Sequence, residues 1–255
     1  MNNKTKLSLA ALCLAPLISF AGGPAAMADS NNNHFYIGAN AGLNVGHSQF
    51  GTSVSLNIPG SADISADASA KAGHVGPTAG LQLGFDHSFA SNLHLGVYGH
   101  FNLDNSYSDN KYSINITPAT FPLPIQIGVD SKIEYKQNYG LDAYLGFDLI
   151  PRATTYFSLG WGWMRVDSSN RINVLSTNLE SLNRTFNGPS VGGGINMNIS
   201  RHFSAGVNYS YTFYRQQSRT ANYTIVAPAG SINLPVKISL KPGISRAVAT
   251  FDYIF

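Results

Sequence analysis

The run Ala247-Val248-Ala249-Thr250-Phe251-Asp252-Tyr253-Ile254-Phe255 sets Ala247, Ala249, Phe251, Tyr253 and Phe255 on one face of an extended segment. Thr250 and Asp252 lie on the other face, with Arg246 just upstream in the same phase. Successive side chains of a strand point to opposite sides, so the segment reads as a strand with one oily and one polar face. Seven runs upstream repeat the rule. Phe35, Ile37, Ala39, Ala41, Leu43 and Val45 oppose Tyr36, Gly38, Asn40, Gly42, Asn44 and Gly46; Ala79, Leu81, Leu83 and Phe85 oppose Gly80, Gln82, Gly84 and Asp86. Leu93, Leu95, Val97, Phe101 and Leu103 oppose His94, Tyr98, His100, Asn102 and Asp104. The longest run sets Ile133, Tyr135, Tyr139, Leu141, Ala143, Leu145, Phe147 and Leu149 against Glu134, Lys136, Asn138, Asp142, Tyr144 and Asp148. Runs around Trp161 and Trp163, around Ile195 and Met197, and from Phe203 to Phe213 complete the set.

The amino terminus explains where such strands are used. Lys4 and Lys6 precede an apolar stretch from Leu7 to Phe20, broken by Pro16, and Ala26-Met27-Ala28 forms a small-residue site before Asp29. This order predicts a signal peptide over residues 1–28, cut between Ala28 and Asp29, and a barrel domain over residues 29–255. The apolar stretch is shorter than the ~20 residues a membrane-spanning helix needs. Cys13, the only cysteine, falls inside the leader, so the exported chain is expected to fold without disulfide or thiol chemistry. Without Lys4 and Lys6 the balance is 14 basic to 13 acidic residues, which nominates no nucleic acid or other polyanion as a partner. Only 11% of residues are charged, while glycine numbers 25, tyrosine 13 and phenylalanine 14. Soluble domains carry about a quarter charged residues. Alternating strands remain as a way to meet lipid on one face and water on the other.

Eight strands bring both termini to one side. About ten residues at ~3.3 Å each, tilted near 40°, cross the apolar band of a bilayer. Short connections are expected near 87–92, 150–154 and 200–202, and long ones near 47–74, 105–131, 167–187 and 215–242. That alternation matches short periplasmic turns and long external loops. The fold class is therefore all-β: an eight-stranded antiparallel up-and-down transmembrane β-barrel with four long external loops. A soluble sandwich or lipocalin-like barrel would turn its oily face inward, whereas here the small, glycine-rich face suits a narrow lumen.

The leader, the eight runs, the four loops and the final aromatic resemble the small outer-membrane barrels that include the OmpA membrane domain, OmpX and the opacity-type proteins. The resemblance spans Phe35 to Phe255 and implies residence in the bacterial outer membrane, among its lipids and lipopolysaccharide. It also implies that Phe251, Tyr253 and Phe255 form the signal read by the barrel-assembly machinery. The chain carries no segment after Phe255 to match OmpA's periplasmic domain, so a peptidoglycan tether is not implied.

Eight strands enclose a space that side chains can fill. The inward charged residues Asp86, His94, His100, Glu134, Lys136, Asp142, Asp148, Arg246 and Asp252 are expected to pair and plug it. His94 and His100 lack a companion ligand motif, so neither a metal site nor a cofactor is expected. His202-Phe203-Ser204 is similar to the His-x-Ser element of a lipid A deacylase, which would make the histidine a base and the serine a nucleophile. The alternation sets Ser204 at the periplasmic end, away from the outer leaflet, and supplies no acid between Ser204 and Phe251, so no catalytic residue is assigned.

The loops carry more information about function. Tyr112-Ser113-Ile114, Pro118-Ala119 and Leu123-Pro124-Ile125-Gln126-Ile127 in the second loop echo Tyr223-Thr224-Ile225, Pro228-Ala229 and Leu234-Pro235-Val236-Lys237-Ile238 in the fourth. Both predict hairpins continuing beyond the membrane. Leu123, Ile125, Ile127 and Val129 share parity with Ile133 and Tyr135, which predicts one unbroken strand. In the last strand Ile238 and Leu240 take the opposite parity to Phe251, which predicts a bulge near Pro242-Gly243. Exposed sheet edges can pair with other chains. Arg215, Arg219, Lys237 and Lys241 give the fourth loop four cations and no acid, a candidate surface for lipopolysaccharide phosphates or acidic glycans. The expected function is that of an adhesin-like surface protein engaging a host or extracellular ligand through its loops. The alternatives are a small porin or transport channel and, behind both, a lipid A-modifying enzyme.

Overall fold

The computed structural model describes residues 33–56, 64–89, 92–116, 125–172, 177–227 and 230–255. The expected leader, with its cut between Ala28 and Asp29, lies outside them, as do the loop tips at Pro59-Gly60, Pro118-Ala119 and Pro228-Ala229. Nine strands form: β1 (Asn33–Leu56), β2 (Ile64–Phe89), β3 (Leu93–Ile116), β4 (Ile125–Ile150), β5 (Ala153–Ile172), β6 (Thr177–Asn198), β7 (Phe203–Phe213), β8 (Gln217–Ala227) and β9 (Gly230–Ile254). They make a ring of eight staves. Each of β1 to β7 pairs antiparallel with its successor, except that β7 pairs with β9, and β9 closes the ring on β1. β7 and β8 are two segments of one stave, both laddered to β9. Short turns, one with Asn92 in the left-handed conformation (φ 60°), connect the strands at the end that holds Asn33 and Phe255.

In the half nearest the termini, the polarity follows the sequence. Phe35, Ile37, Leu81, Leu83, Leu95, Val97, Leu141, Phe147, Phe157 and Leu159 are exposed on the outside. From Phe35 to Val45 on β1 this apolar belt is ~25 Å tall, the height of a barrel's lipid-facing band. Inside, tyrosines lie over glycines. Tyr36, Tyr144 and Tyr156 face Gly84, Gly96 and Gly194 in the ladders. A Cβ on any of these glycines would fall within 2.4–2.8 Å of the opposing ring's atoms, so the missing side chain is what lets the ring lie flat.

Above the belt the architecture changes. The β2–β3 ladder stops at Thr78↔Asp104, beside Pro77, and the β6–β7 ladder stops at Ser190↔Thr212, beside Pro189. Proline lacks the N–H a ladder needs. Beyond these points the ring divides into two four-stranded sheets, β2-β1-β9-β8 and β3-β4-β5-β6. Their facing sides bury Phe50, Val236, Ile238 and Leu240 from the first sheet and Ile133, Tyr135, Met164, Val166 and Phe186 from the second, interspersed with small polar residues such as Ser48, Thr52, Ser108, Ser131 and Ser168. Contacts cross between them, with His74 stacked on Tyr135 at 3.8 Å and the Tyr135 hydroxyl bonded to Ser48. The barrel therefore continues outside the membrane as a β-sandwich, in which oily side chains pack inward and polar ones meet water.

Three expectations are corrected. Ile133 and Tyr135 point inward, not to lipid, and Glu134 and Lys136 point outward, not into the lumen. The cause is a bulge: Lys136 and Gln137 both turn away from the interior between buried Tyr135 and Asn138, and the register shifts between Tyr135 and Gln137 against β5. No bulge forms at Pro242-Gly243, because β9 keeps one register against β1 from Ile254 to Val236. The irregularity sits across the ladder, where β7 ends at Phe213↔Gly243 and β8 resumes at Gln217↔Leu240. Most of the expected loop at 105–131 is ladder, and β4 is continuous from Ile125, as its parity predicted.

Candidate functional site

The lumen of the belt holds two polar layers. Nearest the termini, His94 lies between two carboxylates, Nδ1 at 2.8 Å from Asp86 Oδ2 and Nε2 at 3.0 Å from Asp148 Oδ1. Tyr144 donates to Asp86 at 2.8 Å and Thr154 to Asp148 at 2.5 Å. The doubly protonated ring is the form that donates to both acids. In the next layer His100 Nδ1 faces Asp142 Oδ2 at 3.3 Å, while Arg246 Nη2 donates to His100 Nε2 at 3.0 Å. A neutral His100 with its proton on Nδ1 satisfies both contacts. Ser190 donates to Asp142 at 2.5 Å and Gln82 donates to Asp252 at 2.6 Å. A cavity of about 20 Å³, lined by Asn40, Tyr98, Asn102, Asn208 and Arg246 among others, has room for about one water.

Seven of the nine residues expected in the lumen face it: Asp86, His94, His100, Asp142, Asp148, Arg246 and Asp252. Their partners Tyr144, Gln82 and Ser190 are uncharged, and inward parity was the one signal that marked them. The apolar closure above them has no counterpart in the sequence reading. Among the described residues no cluster of three or more His, Cys, Asp or Glu side chains is placed to hold a metal ion.

Glu134 and Lys136 belong to the outer face of the second sheet. Lys132 and Lys136 approach the Glu134 carboxylate at 2.7 and 2.6 Å, and these two ammonium groups hold its pKa down at about 2. The four loop cations do not share one patch. Lys237 and Lys241 are exposed on the outer face of β9, Arg215 stacks over Trp161 at 5.4 Å, and Arg219 pairs in register with inward-facing Ile238. Phe251, Tyr253 and Phe255 are all exposed on the outer surface, where Phe203 packs against Phe251 and Tyr253. The His-x-Ser element is not assembled. His202 stacks on Tyr253 and meets the Ile254 carbonyl at 3.1 Å, while Ser204 is buried against Asp252 in the lumen.

Residues 12–227 match the outer membrane protein beta-barrel domain family, and the chain belongs to it. No curated protein matches significantly. Among solved structures, OprG from Pseudomonas aeruginosa is similar at 13% identity and TM-score 0.41, covering 91% of this chain and 98% of its own. Ail from Yersinia pestis, solved with the heparin analogue sucrose octasulfate, is similar at 15% identity and TM-score 0.34, over 85% of this chain and 99% of its own. The protease OmpT from Escherichia coli gives 10% identity and TM-score 0.33, over 86% and 97%.

Proposed function

We propose that this outer-membrane β-barrel protein is an adhesin-like surface protein, whose barrel anchors a sandwich that offers a free strand edge to extended segments of other chains. The observation that carries this reading is β8. Among the described residues it is laddered to β9 on one side only, and its link to β6 ends with two single bonds, Arg215 N to Asn187 O at 3.1 Å and Gln217 Nε2 to Thr185 O at 2.9 Å. Natural edge strands are protected by prolines, charges or bulges. The eleven residues of β8 contain no proline and one charged residue, Arg219, and Ser218, Thr220 and Asn222 are exposed. An extended peptide can therefore add main-chain hydrogen bonds along it.

The filled interior counts against the channel alternative, since side chains of both sheets meet across the axis. The separation of His202 from Ser204 gives the deacylase reading no support.

Single proline substitutions from Ser218 to Asn222 test the proposal. Alternate positions direct their N–H to the open side, so proline there removes an edge donor while leaving the β9 ladder intact. Binding to cells and matrix proteins should fall at those alternate positions, in protein whose heat-dependent gel mobility confirms a folded barrel. Equal binding by all five folded variants contradicts the reading.

A further inference from the structure

Both sheets carry exposed cations on their outer faces, and the ones nearest the belt differ in whether they are paired. On the second sheet Lys132 and Lys136 pair with Glu134, and Arg165 with Asp167 at 3.7 Å, while Lys111 and Arg184, farther from the belt, are exposed with no ion pair among the described residues. On the first sheet, among the described residues, Lys71, Lys237 and Lys241 have no ion-pair partner, and Lys71 and Lys241 are the two nearest the belt. They occupy one row. Lys71 pairs with Gln49 across β2–β1, and Gln49 with Lys241 across β1–β9, so the two lysines flank Gln49 at a backbone separation of about 10 Å. All three side chains are exposed.

The row beneath is made of His47 between Gly73 and Gly243. A Cβ at Gly73 would meet only the Gly46 carbonyl at 3.8 Å, and one at Gly243 would meet the Tyr211 hydroxyl at 2.6 Å. The glycines thus leave a shallow depression holding an imidazole and a phenol below two free ammonium groups. Val75 and Val45, the last apolar outward residues of β2 and β1, pair in the row below that. Gln49 is four positions beyond Val45, which puts the lysine backbones about 10 Å above the oily belt, just past the headgroup layer, and stems that bend toward the belt bring the ammonium groups down into it. The nearest acid on this face, Asp67, is two rows farther from the belt, in the row of Lys237.

We propose that Lys71 and Lys241, with His47 and Gln49 between them, clamp a phosphate of an outer-leaflet glycolipid, the phosphorylated lipid A headgroup. The source is the membrane, because the depression opens sideways onto the belt's upper boundary and lysine stems of this length reach down to the depth of lipid phosphates. The clamp is independent of strand addition at β8.

Native mass-spectrometric titration of the refolded full chain in detergent tests it, with bisphosphorylated lipid A, the same lipid stripped of phosphate, heparin and inorganic phosphate as probes. Lys71→Gln with Lys241→Gln should weaken binding of bisphosphorylated lipid A roughly thirtyfold, at about fivefold per lysine near an anionic surface. Lys132→Gln with Lys136→Gln should leave it within about twofold, because those lysines are engaged by Glu134. Stripped lipid A should bind wild type and the Lys71/Lys241 variant alike. Unchanged lipid A affinity in the Lys71/Lys241 variant overturns the proposal. So does wild-type binding of heparin or free phosphate as tight as that of the phosphorylated lipid, since the site would then recognise a polyanion or a lone anion and not a lipid headgroup.

Discussion

Glu134 shows how a neighbour's charge decides a side chain's behaviour on the outer face. Its folded pKa, near 2, is below the ordinary glutamate value of 4.5, so the contribution of its two ion pairs is complete above about pH 4.5 and is lost as pH falls towards 2. Carbon-detected NMR of the carboxyl group should report a midpoint near 2 in the wild type and a clear rise in Lys132→Gln with Lys136→Gln; a midpoint that does not move would break the pairing argument. Tyr135 shows the opposite case, a side chain fixed by burial. Removing only its hydroxyl, in Tyr135→Phe, deletes the bond to Ser48 and should cost about 1 kcal/mol. Tyr135→Ala also empties the space against His74 and should cost ~3–5 kcal/mol, read by urea unfolding in lipid vesicles. Similar losses in the two variants would mean that the ring is not packed in the sandwich. Gly46 is tied to the same stack, because a Cβ there would lie 1.6 Å from the His74 ring.

At the scale of elements, prolines set where the barrel stops being one. Replacing Pro77 by valine restores a donor at the end of the β2–β3 ladder, where Gly76 and Ser106 already pack close, and should slow amide hydrogen exchange at Ser106 and its neighbours. Unchanged exchange there would assign the end of the ladder to some other cause. The strands themselves were legible because alternation against lipid leaves a period of two in the sequence, from Phe35 to Val45 and from Ala247 to Phe255. The upper half was harder to read for a physical reason. Above the belt the outside is water, so the inward face becomes the oily one and the polarity rule inverts. β9 meets that inversion without any bulge, and its apolar parity moves from Phe251 to Ile238 and Leu240 while its register stays fixed. β4 meets it with a bulge at Lys136-Gln137, so apolar residues keep odd numbers while changing sides. Lys136-Gln137 carries no turn chemistry and bulges, while Pro242-Gly243 carries it and keeps register, so parity and turn residues read the two strands the wrong way round.

For the whole molecule, the account is a lipid-facing cylinder with a paired polar interior, capped by two sheets that close over it. The cap brings Ile133, Tyr135, Met164, Val166, Phe186, Tyr214 and Leu240 to 2% exposure or less, so side chains fill the axis between the two sheets among the described residues. Planar bilayers holding the folded protein should show no porin-sized conductance steps, and regular large steps would require an open axis. The terminal charged layer and the filled cap were separable in the sequence only once the solvent on each side was known. The most direct test is a nitroxide scan along β4 from residue 131 to residue 149 in lipid vesicles, read by collisions with oxygen and with a water-borne nickel reagent. The account predicts oxygen maxima at 139, 141, 143, 145 and 147, nickel maxima at 132, 134 and 136, and protection from both at 133 and 135. Odd-numbered maxima running unbroken through 135 and 133 would contradict it.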